Sequence, residues 1–581
     1  MLPLSRLPAR CVAPGDYGKL LQTCVWRASW LREMEVEAAR EWDVSLHTVM
    51  NWAAHAAFFA IRSEYSPLRR WLILCGGGNN GGDGYTIARI AADAGFLVTV
   101  LSIKGTKPLP PEATAAYAEL VKKGNVPIYE VENWSDAAVS ESFDLVVDAL
   151  LGIGITGAPR GVYARCIDWA NTLNAPRVAI DIPSGLNAET GSVEGPCIRA
   201  ESTVTFIALK PGLLTGRARD YVGRLHYSYL PFGSWFLESE RQEQLFCRRL
   251  SSLHLDWIMH PRSPCAHKGM NGKLIIIGGD IGFGGAVMMA AEAGLCTGAG
   301  LIRVLSRAQH AMTLLSRCPE VMVEELTEAN LQKGLEWSTC VAVGPGLGQG
   351  EWGCEALAKV LAYCQQHPEK PSVWDADALN IMAAQLQKGG ENPFATPLAN
   401  RIITPHPGEA ARLLQCTIDE VEKDRFQAVK RLAETYGGVA LLKGPGTVLY
   451  TAEGIDPAVL KGPGTVLYTD EGIDPAFAPL TTAHSLLSMR YVLVDAGNSG
   501  MATGGFGDVL TGVIAGLLAQ KFSEWYAACV GCLVHGTAGD LAAEVQGGER
   551  GLRATSLLKH IPVCVNLPPK CESGGKNRDC E

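Results

Sequence analysis

Short apolar runs rich in β-branched residues recur along the chain, and between them apolar positions return every three or four residues. In the first half the runs fall at 71–75, 96–102, 145–147, 178–180 and 202–207, with helical periodicity clearest over 85–94 and 112–122. Runs that are apolar throughout suit strands covered on both faces, so the alternation predicts a parallel sheet with helices on either side. Upstream, 29–62 reads as two amphipathic helices packed on that core. A less regular stretch at 231–264 carries Trp235 and several prolines. Beyond it the alternation resumes at 273–277, 301–305, 341–343, 372–374, 401–404, 439–442 and 491–494. Two α/β domains are therefore expected, 1–240 and 265–566, joined by a linker at 241–264, with the polar segment 567–581 as a disordered tail. Residues 442–459 and 460–477 are a tandem duplication that differs at two positions. Two copies are too few for a solenoid.

Composition matters chiefly for what it excludes. A chain of 581 residues is too long for one core, and 47% hydrophobic with 19% charged residues is an ordinary folded balance. A net charge of -9 without a basic block argues against a nucleic-acid groove. An anionic substrate would have to be held by local backbone donors. The 18 cysteines are scattered without zinc-ligand spacing, which reads as a reduced, cytoplasmic protein. The longest apolar segment, 509–519, is too short to span a bilayer, and the start lacks the apolar core of a signal peptide. No membrane partner is expected.

The chemistry of the first half gathers at strand ends. Gly76-Gly77-Gly78-Asn79-Asn80-Gly81-Gly82-Asp83-Gly84 lies between a strand and a helix. Glycines there let the backbone approach a phosphate, and the helix start offers free N–H groups. Gly76, Gly78 and Gly81 satisfy G-x-G-x-x-G, but 101–104 (LSIK) stands where the acidic ribose ligand of a dehydrogenase would end the second strand. That disfavours a standard dinucleotide dehydrogenase. Asp148 and Asp181 follow the next two strands, in DALLGIGITGAPRG and DIPSGL. Carboxyl ends of strands form the ligand crevice of an open α/β sheet, so the three termini converge, although each Asp alone could equally cap a helix.

GNNGGDG, DALLGIG, DIPSGLNAETG and TVTFIALKPGLLTG (203–216) closely resemble the NAD(P)H-hydrate epimerases, over about 70–235. The resemblance implies a Rossmann-like three-layer α/β/α domain that inverts the hydrated carbon of the nicotinamide ring, with a potassium ion in the site. By matched position, Asn79, Asn80, Gly81, Gly82 and Asp83 would contact the hydrate. So would Gly152, Ile153, Gly154, Ile155, Thr156, Gly157 and Ala158. Asn80, Asp148 and Ser184 would hold the potassium ion, and Asp181 would contact the substrate as its acid–base residue. An all-oxygen set suits a hard monovalent cation. The chain departs from the family at 50–54, where MNWAA replaces the expected Arg-Ala-Gly.

In the second half, Gly504-Gly505-Phe506-Gly507-Asp508 opens a long helical pattern. Its N–H groups could form an anion hole and its Asp could take a proton from a hydroxyl; Gly-Asp is also a common helix cap. The arrangement resembles the ribokinase-like fold, in which that Asp is the catalytic base. HKGMNGKLIIIGGDIGFGGA, GPGLGQGEWG, DADALN, TPHPGEAARLL, KGPGT and DAGNSGMATGGFGD follow in this order. Together they resemble the ADP- or ATP-dependent NAD(P)H-hydrate dehydratases over roughly 265–565, and the whole chain resembles the fused bacterial form.

By matched position, Ala286, Gly346 or Gly348, His406 and Asp508 would contact the hydrate. Lys443, Gly444, Pro445, Gly446, Thr447 and Gly507 would hold the adenine nucleotide. The first copy of the duplication is expected to serve, because the apolar run 437–442 leads into it. The second would be a surface insertion. The resemblance implies ADP-driven phosphorylation of the ring hydroxyl of the S hydrate, with magnesium bridging the nucleotide phosphates. Loss of phosphate then yields NAD(P)H and AMP. NADHX, NADPHX and ADP are the expected small-molecule partners, and a homo-oligomer, tetrameric in form, is expected. Two other readings stay open. A ribokinase-like small-molecule kinase would release a stable phosphoester. A first half serving only as an interaction module should have lost the Asn80, Asp148, Asp181 and Ser184 set.

Overall fold

The computed structural model describes residues 18, 20–103, 105, 107–131, 142–259, 262–387, 396–453 and 487–566. The first strand, β1 (Cys24–Val25), is short and belongs to the larger of two sheets. Seven parallel strands follow: β2 (Arg70–Cys75), β3 (Leu97–Ile103), β4 (Ile128–Val131), β5 (Leu145–Ala149), β6 (Arg177–Ile180), β7 (Ser202–Phe206) and β8 (Arg224–Ser228). They lie in the order β4-β3-β2-β5-β6-β7-β8. Trp71 to Cys75 are wholly buried, as strands covered on both faces require. The two helices expected at 29–62 form as Ala28–Glu41 and Leu46–Glu64, the second capped by Ser45 Oγ accepting from Thr48 N–H.

The larger sheet has eleven strands. After β9 (Cys247–Leu250) come β10 (Lys273–Ile277), β11 (Leu301–Ser306), β12 (Met322–Glu325), β13 (Cys340–Val343), β14 (Ser372–Trp374), β15 (Arg401–Ile403), β16 (Val439–Leu442), β17 (Thr447–Thr451) and β18 (Tyr491–Val494). Their order is β1-β9-β18-β17-β16-β15-β14-β13-β10-β11-β12. From β16 to β12 neighbours are parallel, whereas β17 runs antiparallel to both β16 and β18. Both sheets are α/β with helices on their faces.

The stretch expected as a linker, 241–264, carries β9, which pairs parallel with β18 and antiparallel with β1. Arg248 of that strand is buried, and its guanidinium donates to Thr23 Oγ1, Cys24 Sγ and Gln242 Oε1. Trp26 N–H donates to Leu209 O just beyond β7, and Val25 bridges Leu209, so β1 also contacts the segment that follows the smaller sheet's β7. The first copy of the duplication supplies the turn and the second strand of the β16–β17 hairpin. The second copy, 460–477, and the tail 567–581 lie outside the described residues. Among the described residues no helix is long and apolar enough to cross a membrane.

Strand order locates the crevices. In the smaller sheet β2 is flanked by β3 on one side and β5 on the other, and in the larger sheet β10 is flanked by β11 and β13. The chain leaves such a switch point in opposite directions, opening a crevice at the carboxyl ends of the two strands. The loops after β2 and β5, and those after β10 and β13, carry four of the motifs, and the others follow neighbouring strands.

Candidate active sites

At the first crevice backbone segments touch. A Cβ on Gly76 would stand 1.8 Å from Leu150 O, and one on Gly81 would stand 1.9 Å from Gly76 O, so only glycine lets these loops meet. Helix Asn79–Asp93 starts there, and Asn80 is buried against the loop after β5. Its Nδ2 donates to Leu151 O at 3.0 Å, whereas its Oδ1 has no hydrogen-bond partner. Asp148 is fully buried and lies inside β5. Its carboxylate accepts from Ser184 N–H at 2.8 Å, from Ser184 Oγ at 2.6 Å and from Leu150 N–H at 3.2 Å. Burial raises its pKa to about 6 against these hydrogen bonds. Neither this Asp nor Asp181 caps a helix. Asn80, Asp148 and Ser184 thus form one oxygen-rich cluster with an unsatisfied buried carbonyl oxygen. Such an oxygen costs free energy unless a donor or cation meets it.

Asp181 ends β6 with φ +64°, a left-handed conformation that is strained for a residue with a side chain. Its Oδ1 accepts from Thr205 Oγ1 at 3.0 Å and from the ammonium of Lys210, which is 3% exposed and also donates to Thr205 Oγ1 and Phe206 O. Two further carboxyls face this pair. Burial, and then the charge of Asp181, raise Glu35 of helix Ala28–Glu41 to about 7. Burial, Glu35 and Asp181 push Asp83 well above the usual carboxylate range. The roof over the site is the same helix, since the Arg32 guanidinium would lie 2.1 Å from a Cβ on Gly154. In the divergent segment at 50–54, the Met50 thioether packs against Gly82.

Asn79 and the 152–158 loop line the open side of the crevice and are half-buried to exposed. Sequence reasoning named Asp181 but missed Glu35 and Lys210. Lys210 lies in the quoted TVTFIALKPGLLTG, while Glu35 carries no local signature.

At the second crevice, helices Gly284–Thr297 and Phe506–Ala519 pack closely through small residues. A Cβ on Gly512 would stand 2.1 Å from Ala290 O, and one on Gly516 would stand 3.0 Å from Gly294 O. The constant offset makes the helices parallel, with residues 284 and 506 level. Two helix N-termini therefore open side by side, a favourable place for an anion. The N-cap of the second helix is Gly505, and Asp508 is not used as a cap.

Opposite stands the β16–β17 turn. Lys443 Nζ donates to Asp375 Oδ1 at 2.7 Å and lies 3.8 Å from Glu409. It would also lie 3.3 Å from a Cβ on Gly507. Asp375 Oδ2 accepts from Thr511 Oγ1 at 2.7 Å, which ties the helix to the cluster. Burial would lower Lys443, but Asp375 and Glu409 outweigh it and raise the pKa. Asp508 is raised to about 7 by burial and then by Asp375, with Lys443 opposing. Burial also raises Glu409 to about 7.

A carboxyl held near neutrality beside an anion-binding helix start is arranged to take a proton at physiological pH. His406 caps helix Pro407–Leu414, with Nδ1 accepting from Gly408 N–H at 3.0 Å, and its half-exposed ring places Nε2 3.6 Å from Glu409 Oε1. Burial and Lys443 lower its pKa. Gly346 is hemmed in by Phe283 O and the Ala286 methyl, and Gly348 N–H donates to Asp377 Oδ2 at 2.9 Å. Ala286, Gly346 and Gly348 thus share the β10–β13 crevice. Asp375 and Glu409 lay in quoted motifs without being assigned a role.

Both halves of the chain are similar to known proteins. A family model described as YjeF-related protein N-terminus matches 46–212, and one described as NAD(P)H-hydrate dehydratase matches 274–460 and 488–563. A bifunctional NAD(P)H-hydrate repair enzyme of Leishmania braziliensis is 46% identical over 97% of this chain and 97% of its own length. One of Escherichia coli (strain K12) is 46% identical over 93% and 94%. Among solved structures, a ribokinase-like superfamily protein from Enterococcus faecalis is 26% identical. It covers 55% of this chain and 94% of its own, with a TM-score of 0.43.

Proposed function

The chain belongs to the bifunctional NAD(P)H-hydrate repair enzymes, and on that premise we propose how its two sites divide the chemistry. The N-terminal half epimerises the hydrates and the C-terminal half dehydrates them. Inverting the hydroxyl-bearing ring carbon requires a proton for the departing hydroxyl and a base for the incoming water. Asp181, positioned by Lys210, is the acid–base residue, and Glu35 and Asp83 keep protons near neutral pH. The glycine-rich loop and the 152–158 loop hold the hydrate between them. The orphaned Asn80 Oδ1, with Asp148 and Ser184, fits a potassium ion, which would hold a substrate oxygen and offset the buried carboxylate.

In the dehydratase half, Asp508 takes the proton of the ring hydroxyl as that oxygen attacks the terminal phosphate of ADP. Lys443, the 444–447 turn and Gly507 hold the nucleotide, while Ala286, Gly346, Gly348 and His406 line the hydrate's place. The backbone N–H groups of the two helix starts stabilise the transferring phosphoryl group. The phosphorylated oxygen then leaves as phosphate while the neighbouring ring carbon loses a proton, giving NAD(P)H, AMP and phosphate. Among the described residues no group of three or more His, Cys, Asp or Glu side chains is arranged to hold a metal ion. Magnesium is accordingly proposed to enter on the nucleotide's phosphates. We further propose a cytoplasmic setting and a homo-oligomeric assembly, for which a tetramer is the form to test.

The observation that carries the dehydratase reading is Asp508, raised to about 7 beside the Lys443–Asp375 pair. Racemic NADH hydrate with and without ADP tests both halves by absorbance. Full recovery of NADH with ADP is expected. Recovery that halts at half the racemate refutes the epimerase, and a stable phosphoester instead of NADH refutes the dehydratase.

A further inference from the structure

The nucleotide turn is not closed by its own half of the chain alone. Thr215, in the loop after β7, donates from Oγ1 to Gly446 O at 2.7 Å and lies 3.3 Å from Pro445 O. Gly216 N–H donates to Pro445 O at 3.1 Å. Gly446 has φ +58°, and a Cβ there would stand 1.8 Å from Leu214 O, so the segments meet backbone to backbone. Arg425, fully buried, ties the contact together. Its Nε donates to Thr215 Oγ1 at 3.1 Å, and its Nη2 donates to Leu442 O at 3.0 Å and Lys443 O at 3.1 Å. The hydroxyl of Thr215, itself fully buried, therefore both accepts from the guanidinium and donates to the turn.

A turn with glycines on both sides of its proline has several backbone states of similar energy, and its N–H groups converge on a phosphate in few of them. We infer that Thr215, with its neighbours Leu214 and Gly216, is a positioning residue of the nucleotide site. The epimerase half holds the Pro445–Gly446 turn in its receiving shape, so dehydration depends on a side chain outside the dehydratase sheet. The inference rests on the reading of 443–447 as the nucleotide loop.

The test uses the full chain, with ADP affinity from calorimetry and separate KM values for ADP and hydrate. Thr215→Val leaves Gly446 O without its donor and Arg425 Nε without its acceptor. It should weaken ADP binding and raise the ADP KM about tenfold, the scale expected for a broken buried hydrogen bond. The hydrate KM and the kcat at saturating ADP should stay within about twofold, and Thr215→Ser should restore the parent affinity. A merely structural role would move all the constants together. Lys443→Ala serves as the reference. If it loses ADP and Thr215→Val binds like the parent, the positioning role is overturned and the nucleotide loop stands; if Lys443→Ala binds like the parent, both fall. Should Thr215→Val fail to fold, amide exchange on the parent decides. ADP that protects the 443–447 amides should also slow Gly216, and an unchanged Gly216 overturns the inference.

Discussion

Asp508→Asn exchanges one buried carboxyl for an amide of the same shape at the mouth of the two-helix anion site. The native carboxyl is raised from 3.8 to about 7, so the folded state binds this proton more tightly than the unfolded chain. The resulting penalty is absent below the unfolded pKa, grows through the interval, and is complete above about 7. Roughly three pH units correspond to about 4 kcal/mol, and half of that is a sober lower figure for a group with neighbouring charges. The asparagine removes this term, so at pH 8 the variant should unfold about 5 to 10 °C higher than the parent. The two proteins should converge by pH 4. Dehydration should meanwhile fall by about two to four orders of magnitude, because the base is gone. In the parent, kcat/KM should drop about tenfold per unit below pH 7, where the base fills with its proton. Thermal unfolding at several pH values, paired with NADH recovery, measures both effects. A variant that melts below the parent at pH 8, a Tm gain that persists at pH 4, or NADH recovery near the parent rate would each refute the reasoning.

Asp181→Ala should abolish epimerisation and leave dehydration of the S hydrate intact, as measured on the separated epimers. Parent epimerisation should need potassium, and equal rates in potassium and a large organic cation would remove the role given to Asn80, Asp148 and Ser184. Glu35, raised to about 7, should produce an alkaline limb in which epimerisation declines as its proton is lost. Glu35→Gln should flatten that limb, and an unaltered profile would remove Glu35 from the proton path. Lys443→Ala should weaken ADP binding at least tenfold, the order for losing a charge-assisted contact, while Lys461→Ala in the second copy should not; the reverse pattern would exchange their roles.

What the sequence made legible follows from burial. Strands covered on both faces, such as Trp71 to Cys75 or Leu274 to Ile277, are apolar at every position and stand out. Edge strands do not. The β4 sequence IYEV and the β12 sequence MVEE are only partly buried and are not among the expected strands. Strand β9 hid for a different reason. Its CRRL sequence looks like a charged linker, yet Arg248 is buried because Thr23, Cys24 and Gln242 accept its hydrogen bonds. The glycine-rich loops and the aspartates at strand ends were visible because close backbone approach and strand termini leave local marks. Glu35 and Lys210 were not, since a carboxyl on a leading helix meets Asp181 only through tertiary packing. The Thr215 contact with residues 230 positions away has no local trace at all.

The place of β1 between the sheets has a consequence for traffic. Cys24 and Val25 pair with β9, and the next residue bonds to Leu209 beside β7. Swinging one half about the other would break these bonds and those between Thr215 and the nucleotide turn. A domain stroke that carried product from one crevice to the other would have to break every one of them. Transfer through water is the route this build favours, with fusion giving a one-to-one supply of the two activities, and an inert scavenger of the free hydrate should then intercept material between them.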